Sequence, residues 1–128
     1  MNPFPLPLHC DNAGFHHGER WIVLTEDFPC LTSMGRIIVP RGFICNGGSI
    51  PRIAQSLVGH PFDVFLEDCI PHDFLYSPLN TEFYRDEADL ILKETMWNRR
   101  DQVSAFKRES LYRAVRWFGG SSFKAKLP

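Results

Sequence analysis

No stretch of this chain approaches the roughly 20 uninterrupted apolar residues that cross a bilayer. Its opening, Met1 to Leu8, holds three prolines and no basic cluster of the kind that begins a secretory signal. A soluble, unsecreted protein is therefore expected. The four cysteines, Cys10, Cys30, Cys45 and Cys69, stand 15 to 24 residues apart with no C-x-x-C pair. That spacing argues against a zinc knuckle or a dithiol redox motif, and the four read as reduced, partly buried thiols. Also missing are internal repeats, low-complexity tracts, a Walker-type phosphate loop, a recognised nucleophile motif and a second histidine at metal-ligand spacing from His72.

What is present fits one domain. A chain of 128 residues with 44% hydrophobic and 13% aromatic content can close a core without metal or disulfide staples. Its charge is nearly balanced overall but unevenly spread. Residues 1–98 carry 13 acidic and 6 basic side chains, a net of −7, while residues 99–128 carry 8 basic and 2 acidic, a net of +6. Arg99, Arg100, Lys107, Arg108, Arg113, Arg116, Lys124 and Lys126 could face a phosphate backbone or an acidic partner. The reading we prefer is a solvated helix face that offsets the acidic front half, so nucleic acid binding through residues 99–126 is not favoured.

The pattern along the chain changes once. Up to about residue 45, short runs such as Trp21-Ile22-Val23-Leu24 and Arg36-Ile37-Ile38-Val39 alternate with turn formers, which predicts strands. From Ile50 onward the periodicity is helical, with helices expected at 51–58, 62–76, 81–98 and 102–118. In the last of these Val103, Phe106, Leu111, Ala114, Val115 and Phe118 mark an apolar face, and Gly119-Gly120 marks its stop. The fold class is α+β: a small N-terminal antiparallel sheet followed by three to four helices in a single domain at 19–120. Residues 1–18 read as an N-terminal arm and 121–128 as a C-terminal tail.

Three constellations carry chemistry. The loop from Gly42 to Arg52 contains Asn46-Gly47-Gly48-Ser49, whose glycines let backbone N–H groups converge, while Ser49 is expected to cap the helix that follows with Pro51 in its first turn. Arg52 could add a two-pronged contact to a carboxylate or phosphate. In the second, His72, Asp73 and Tyr76 sit on a helix, where His72 and Tyr76 share a face and Asp73 lies about 100° away. The third is Arg85, Asp86 and Asp89. The two carboxylates could hold a hard cation or orient His72, whereas Arg85 could pair with Asp89 at the surface or with Asp73 inside. An internal Arg52–Asp89 pair would likewise build a polar network that organises the fold without chemistry.

These residues resemble a known family. Phe43 to Arg52, His72-Asp73-Phe74-Leu75-Tyr76, Arg85-x-x-Ala88-Asp89 and Ala114-x-x-Trp117-Phe118-Gly119 are similar, in order, to the motifs of the domain of unknown function numbered 1353, over roughly residues 21–120. The resemblance implies a small accessory protein of tailed bacteriophages and prophages, located in the host cytoplasm or in the virion, and it carries no assigned activity. That family's usual pattern has Asp where this chain has Asn46, which suits a hydrogen-bonding role better than an ionic one.

Two functions follow. In the binding reading, Asn46, Ser49, Arg52, His72, Asp73, Tyr76, Arg85 and Asp89 form a structural or binding network, and the surface engages a phage or host protein. In the enzyme reading, His72 with Asp73 or Asp89 activates water, alone or on one divalent metal ion held by His72, Asp73 and Asp89. The substrate would then be an amide or phosphoester of the cell wall or of a host defence. Exposure discriminates the two: an open, unpaired His72 suits chemistry, and a buried, fully bonded one suits scaffolding.

Overall fold

His17 and Gly18 take positive φ angles of 54° and 78°, the backbone twist that a two-residue turn between right-twisted strands requires. They close a hairpin of β1 (Cys10–His16) and β2 (Glu19–Leu24) in the computed structural model, which describes residues 2–127. On the other side of β2 lies the short β5 (Ile44–Cys45), antiparallel, with Ile22 opposite Cys45. A second sheet pairs β3 (Phe28–Thr32) with β4 (Gly35–Val39), Phe28 lying opposite Val39. In β4 the alternation is plain: Ile37 and Val39 are buried while Arg36 and Ile38 face out.

The helical half follows. It comprises α1 (Arg52–Val58), the single turn α2 (Pro61–Val64), α3 (Leu66–Tyr76), α4 (Arg85–Asn98) and α5 (Ala105–Phe118), ending in a 3-10 turn at Gly120–Ser122. The α+β class expected from the sequence, sheet first and helices after, is the fold observed. Caps set several of the starts. His60 Nδ1 accepts the Phe62 N–H at 3.1 Å with Pro61 in first position, and Ser104 Oγ accepts the Lys107 N–H at 3.3 Å.

Two apolar clusters meet along α3 and α4. One joins the sheets to Ile70, Leu75, Tyr76, Ala88 and Ile91, and the other gathers Ala54, Cys69, Leu92, Met96, Leu111 and Val115 between the helices. Among the described residues no helix is long and apolar enough to cross a membrane.

Several boundaries differ from the sequence expectation. The helix expected over 62–76 is broken at Phe65 into α2 and α3. The one expected from residue 81 begins at Arg85, because the buried Asn80 side chain holds the turn before it. Its Oδ1 accepts the N–H groups of Glu82 and Phe83, both at 3.0 Å, and its Nδ2 donates to the Leu75 and Phe83 carbonyls. Residues 1–18, expected as an arm, contain β1 and bury Phe4, which stacks on Phe28 with ring centroids 5.1 Å apart. The expected tail is tied to the end of α3 and the turn after it, with Lys124 N–H on the Tyr76 carbonyl at 2.7 Å and Lys126 N–H on the Asn80 carbonyl at 3.1 Å. In α5, Phe106 and Phe118 are exposed rather than part of the core. Phe106 projects about 180° from Val115 around the helix, and Phe118 is its last residue.

Candidate functional site

Gly47 adopts φ 77°, and a Cβ there would lie 3.1 Å from the Pro61 ring, so only glycine fits this bend between β5 and α1. The bend turns its amides toward α3. Gly47 N–H donates to Asp73 Oδ2 at 2.9 Å and Ser49 N–H to Asp73 Oδ1 at 3.2 Å, while Ser49 Oγ hydrogen-bonds the same carboxylate. Between them, Gly48 N–H donates to Asn46 Oδ1 at 2.8 Å. All three loop amides are thus committed to side chains. Ser49 does not cap α1 as expected: Pro51 occupies the cap position, and the hydroxyl is held by Asp73 instead.

On α3, His72 and Tyr76 project toward α4 as their spacing implies, their rings 4.3 Å apart, while Asp73 faces the loop. His72 Nδ1 lies 2.9 Å from Ser49 Oγ, and Nε2 lies 2.7 Å from Asp89 Oδ1. Tyr76 OH donates to the same Asp89 oxygen at 2.6 Å, and an Arg116 guanidinium N–H from α5 donates to the other at 2.6 Å. Arg85 completes the array, donating to Tyr76 OH at 3.3 Å and to the Val115 and Arg116 carbonyls at 2.7 Å each. His72 is 1% exposed and Asp89 0%.

Asp73, Ser49, His72 and Asp89 therefore stand in a line of three hydrogen bonds, each needing one proton. Ser49 supplies one and neutral His72 another. The third resides either on the second His72 nitrogen, beside an ionised Asp73, or on Asp73 itself, beside a neutral imidazole. The line is fully bonded only while it holds that shared proton.

The surrounding electrostatics are consistent with this count. Burial is the strongest influence on Asp73 and raises its pKa despite the hydrogen bonds from Ser49 and Gly47 and the nearby His72 ring. Burial pushes Asp89 the same way, but the bonds from His72, Tyr76 and Arg116 outweigh it and hold the carboxyl below its ordinary value. Burial and then the neighbouring Asp89 raise the Tyr76 phenol, so it stays a donor.

Not every expected residue joins. Arg52 points away and pairs with Glu19 at 2.7 Å at the surface. Asn46 holds only the loop. Asp86 is exposed, and neither an Arg85–Asp89 nor an Arg85–Asp73 pair is present among the described residues. Arg116 is the member that reasoning from sequence left among the general basic residues; its signal was a cation inside the Ala114-x-x-Trp117-Phe118-Gly119 motif. A metal does not fit here. Both His72 nitrogens are engaged, and a guanidinium already holds the second Asp89 oxygen; among the described residues no cluster of three or more His, Cys, Asp or Glu has metal-binding geometry.

Beside the network lies a cleft of about 300 Å³ lined in part by Trp21, Asn46, Ser49, Asp73, Tyr76 and Lys124. The four thiols are unpaired. Burial, followed by the charge of Asp73, raises both Cys45 and Cys69, so neither is a reactive thiolate at this site.

Compared with known proteins, residues 22–115 match a family described as a protein of unknown function, DUF1353. No curated protein and no solved structure matches the chain.

Proposed function

Because the chain belongs to the DUF1353 family, which brings no activity with it, we propose from its own residues that it is a binding protein: the His72 network is its internal brace, and its surface engages a phage or host protein. The observation that carries this reading is the state of His72, 1% exposed with a partner on each ring nitrogen. A base acting directly on substrate or water needs a nitrogen open to it, and His72 offers none. The brace fastens the 47–49 loop, α3, α4 and α5 to one another and leaves the basic face of α5 as the natural contact. In this reading the protein acts as a small phage accessory factor in the host cytoplasm.

One observation favours a second reading. Asp89, His72 and Ser49 follow one another in the order carboxylate, imidazole, hydroxyl, and Ser49 lines the 300 Å³ cleft, as in a hydrolase acting on an amide or phosphoester. Against it, the Ser49 hydroxyl is bonded to Asp73, and the Gly47, Gly48 and Ser49 amides that would hold a developing oxyanion are occupied.

Two sets of variants of the intact chain separate the readings. Ser49→Ala and His72→Gln are expected to lower the urea midpoint. Lys107→Glu with Arg113→Glu is expected to leave it unchanged while abolishing cross-linking to a specific protein in phage-infected cells. Ester, amide or phosphoester turnover by the purified protein, lost in a folded Ser49→Ala variant, would overturn the binding reading in favour of the hydrolase.

A further inference from the structure

Arg52, which the network does not use, opens onto a second and larger cleft of about 550 Å³ between the β1–β2 hairpin, α1 and the cap of α2. Phe15, Arg20, Arg52, Gln55 and His60 line it, with Glu19 the one carboxylate among the described residues there. Three features set it apart from an ordinary patch of surface charge.

Arg20, Arg52 and His60 each have a partner within the chain. Arg52, its side chain 82% exposed, pairs with Glu19 at 2.7 Å through one guanidinium nitrogen, and among the described residues its other nitrogens make no bond. The Arg20 guanidinium lies over the Phe62 ring, 5.6 Å from its centroid. His60 meets the same ring edge-on at 5.1 Å, and its Nδ1 accepts the Phe62 N–H, which places the neutral ring's proton on Nε2 as a donor. Phe62, itself buried, thus lies against two of the three. Phe15, the cross-strand neighbour of Arg20, is 71% exposed, a bare ring lining the cleft. The volume falls within the roughly 300–1,000 Å³ of small-ligand sites.

We propose that this cleft binds a nucleoside monophosphate, its base against Phe15 and its phosphate between Arg20, Arg52 and the His60 side. A phosphate dianion presents three terminal oxygens in a tetrahedral spread, which suits donors arriving from β2, α1 and the α2 cap. A carboxylate offers two oxygens in one plane. Aromatic stacking beside guanidinium groups is the recognition a nucleotide base and its phosphate ask for together.

The test is a titration of the ¹⁵N-labelled intact chain with AMP, inorganic phosphate and adenosine in separate samples. AMP is expected to saturate, with amide shifts confined to residues 15–20 and 52–62, and to bind more tightly than phosphate or adenosine alone. Arg20→Gln and Arg52→Gln should each weaken AMP about tenfold, the loss of one charge-assisted contact. Phe15→Ala should weaken AMP and adenosine but not phosphate. Arg113→Gln, remote from the cleft and equally basic, should change nothing. All four side chains are exposed, so melting curves matching the parent are expected. Absence of saturation up to about 10 mM AMP, or equal weakening by Arg113→Gln, would overturn the proposal. Saturation by a short oligonucleotide with no response to AMP would overturn it too, in favour of a strand-binding surface.

Discussion

Replacing Asp89 with asparagine keeps the size of the side chain and removes its charge. Asp89 accepts three hydrogen bonds, from His72 Nε2, Tyr76 OH and Arg116. An asparagine has one acceptor oxygen, and its amide must point at a donor. If the oxygen serves His72 and Tyr76, the amide opposes Arg116. A stranded buried donor costs about 1–3 kcal/mol, and breaking a buried ion pair about 3–5 kcal/mol. The Arg116 side chain is 32% exposed and can turn to water, which places the expected loss near the lower of those two bounds, about 3 kcal/mol. With an m-value of about 2 kcal/mol/M, the urea midpoint should fall by about 1.5 M at pH 7. Because Asp89 is held below the ordinary carboxylate range in the folded chain, its ionised form stabilises above about pH 4, and that contribution is lost as pH falls through the folded value. The gap between parent and variant should therefore narrow in acid. A midpoint within about 0.3 M of the parent at pH 7 would refute the assignment of Asp89 as the anchor of the network.

Two further outcomes follow from other positions. Gly47→Ala forces a side chain into φ 77° and against Pro61; a loss of about 1–2 kcal/mol is expected in urea melts, and an unchanged midpoint would contradict the tight bend. Asp68 is buried, which raises its carboxyl to about 6 even with Arg99 beside it, and among the described residues one of its oxygens has no hydrogen-bond partner. A raised folded value means the folded chain holds that proton more tightly, so this group's contribution to stability declines as pH rises from about 4 to about 6 and is level above. The melting temperature of Asp68→Asn relative to the parent should rise over that window and then flatten; a constant difference would count against it.

Local signals in the sequence were the ones that translated well. His72 and Tyr76 reach one partner because four residues bring them to the same helix face, and Asp73 turns to the loop because one residue rotates it away. Asp89 as the partner across α3 and α4 was also within reach of spacing. What could not be read locally was decided by tertiary competition. Ser49 has the chemistry of a cap, yet a buried carboxylate 24 positions on takes its hydroxyl. Arg116 binds Asp89 across 27 positions, which no window on α5 reveals. Phe106 fits a helical repeat but faces solvent, whereas Phe4, among prolines, is buried by a strand partner that only the assembled sheets provide.

The array around Asp89 draws on the 47–49 loop, α3, α4 and α5, through bonds that span 17 to 27 positions of sequence. Lifting α5 away on its own would strip Arg116 from a carboxylate still inside the molecule and would release the carbonyls that Arg85 holds. Fraying of the last helix is thereby tied to opening of the centre. Amide hydrogens in α5 near Val115 should then exchange on the timescale of whole-molecule unfolding rather than of a surface helix, making the C-terminal helix part of the slowest-exchanging unit of the protein.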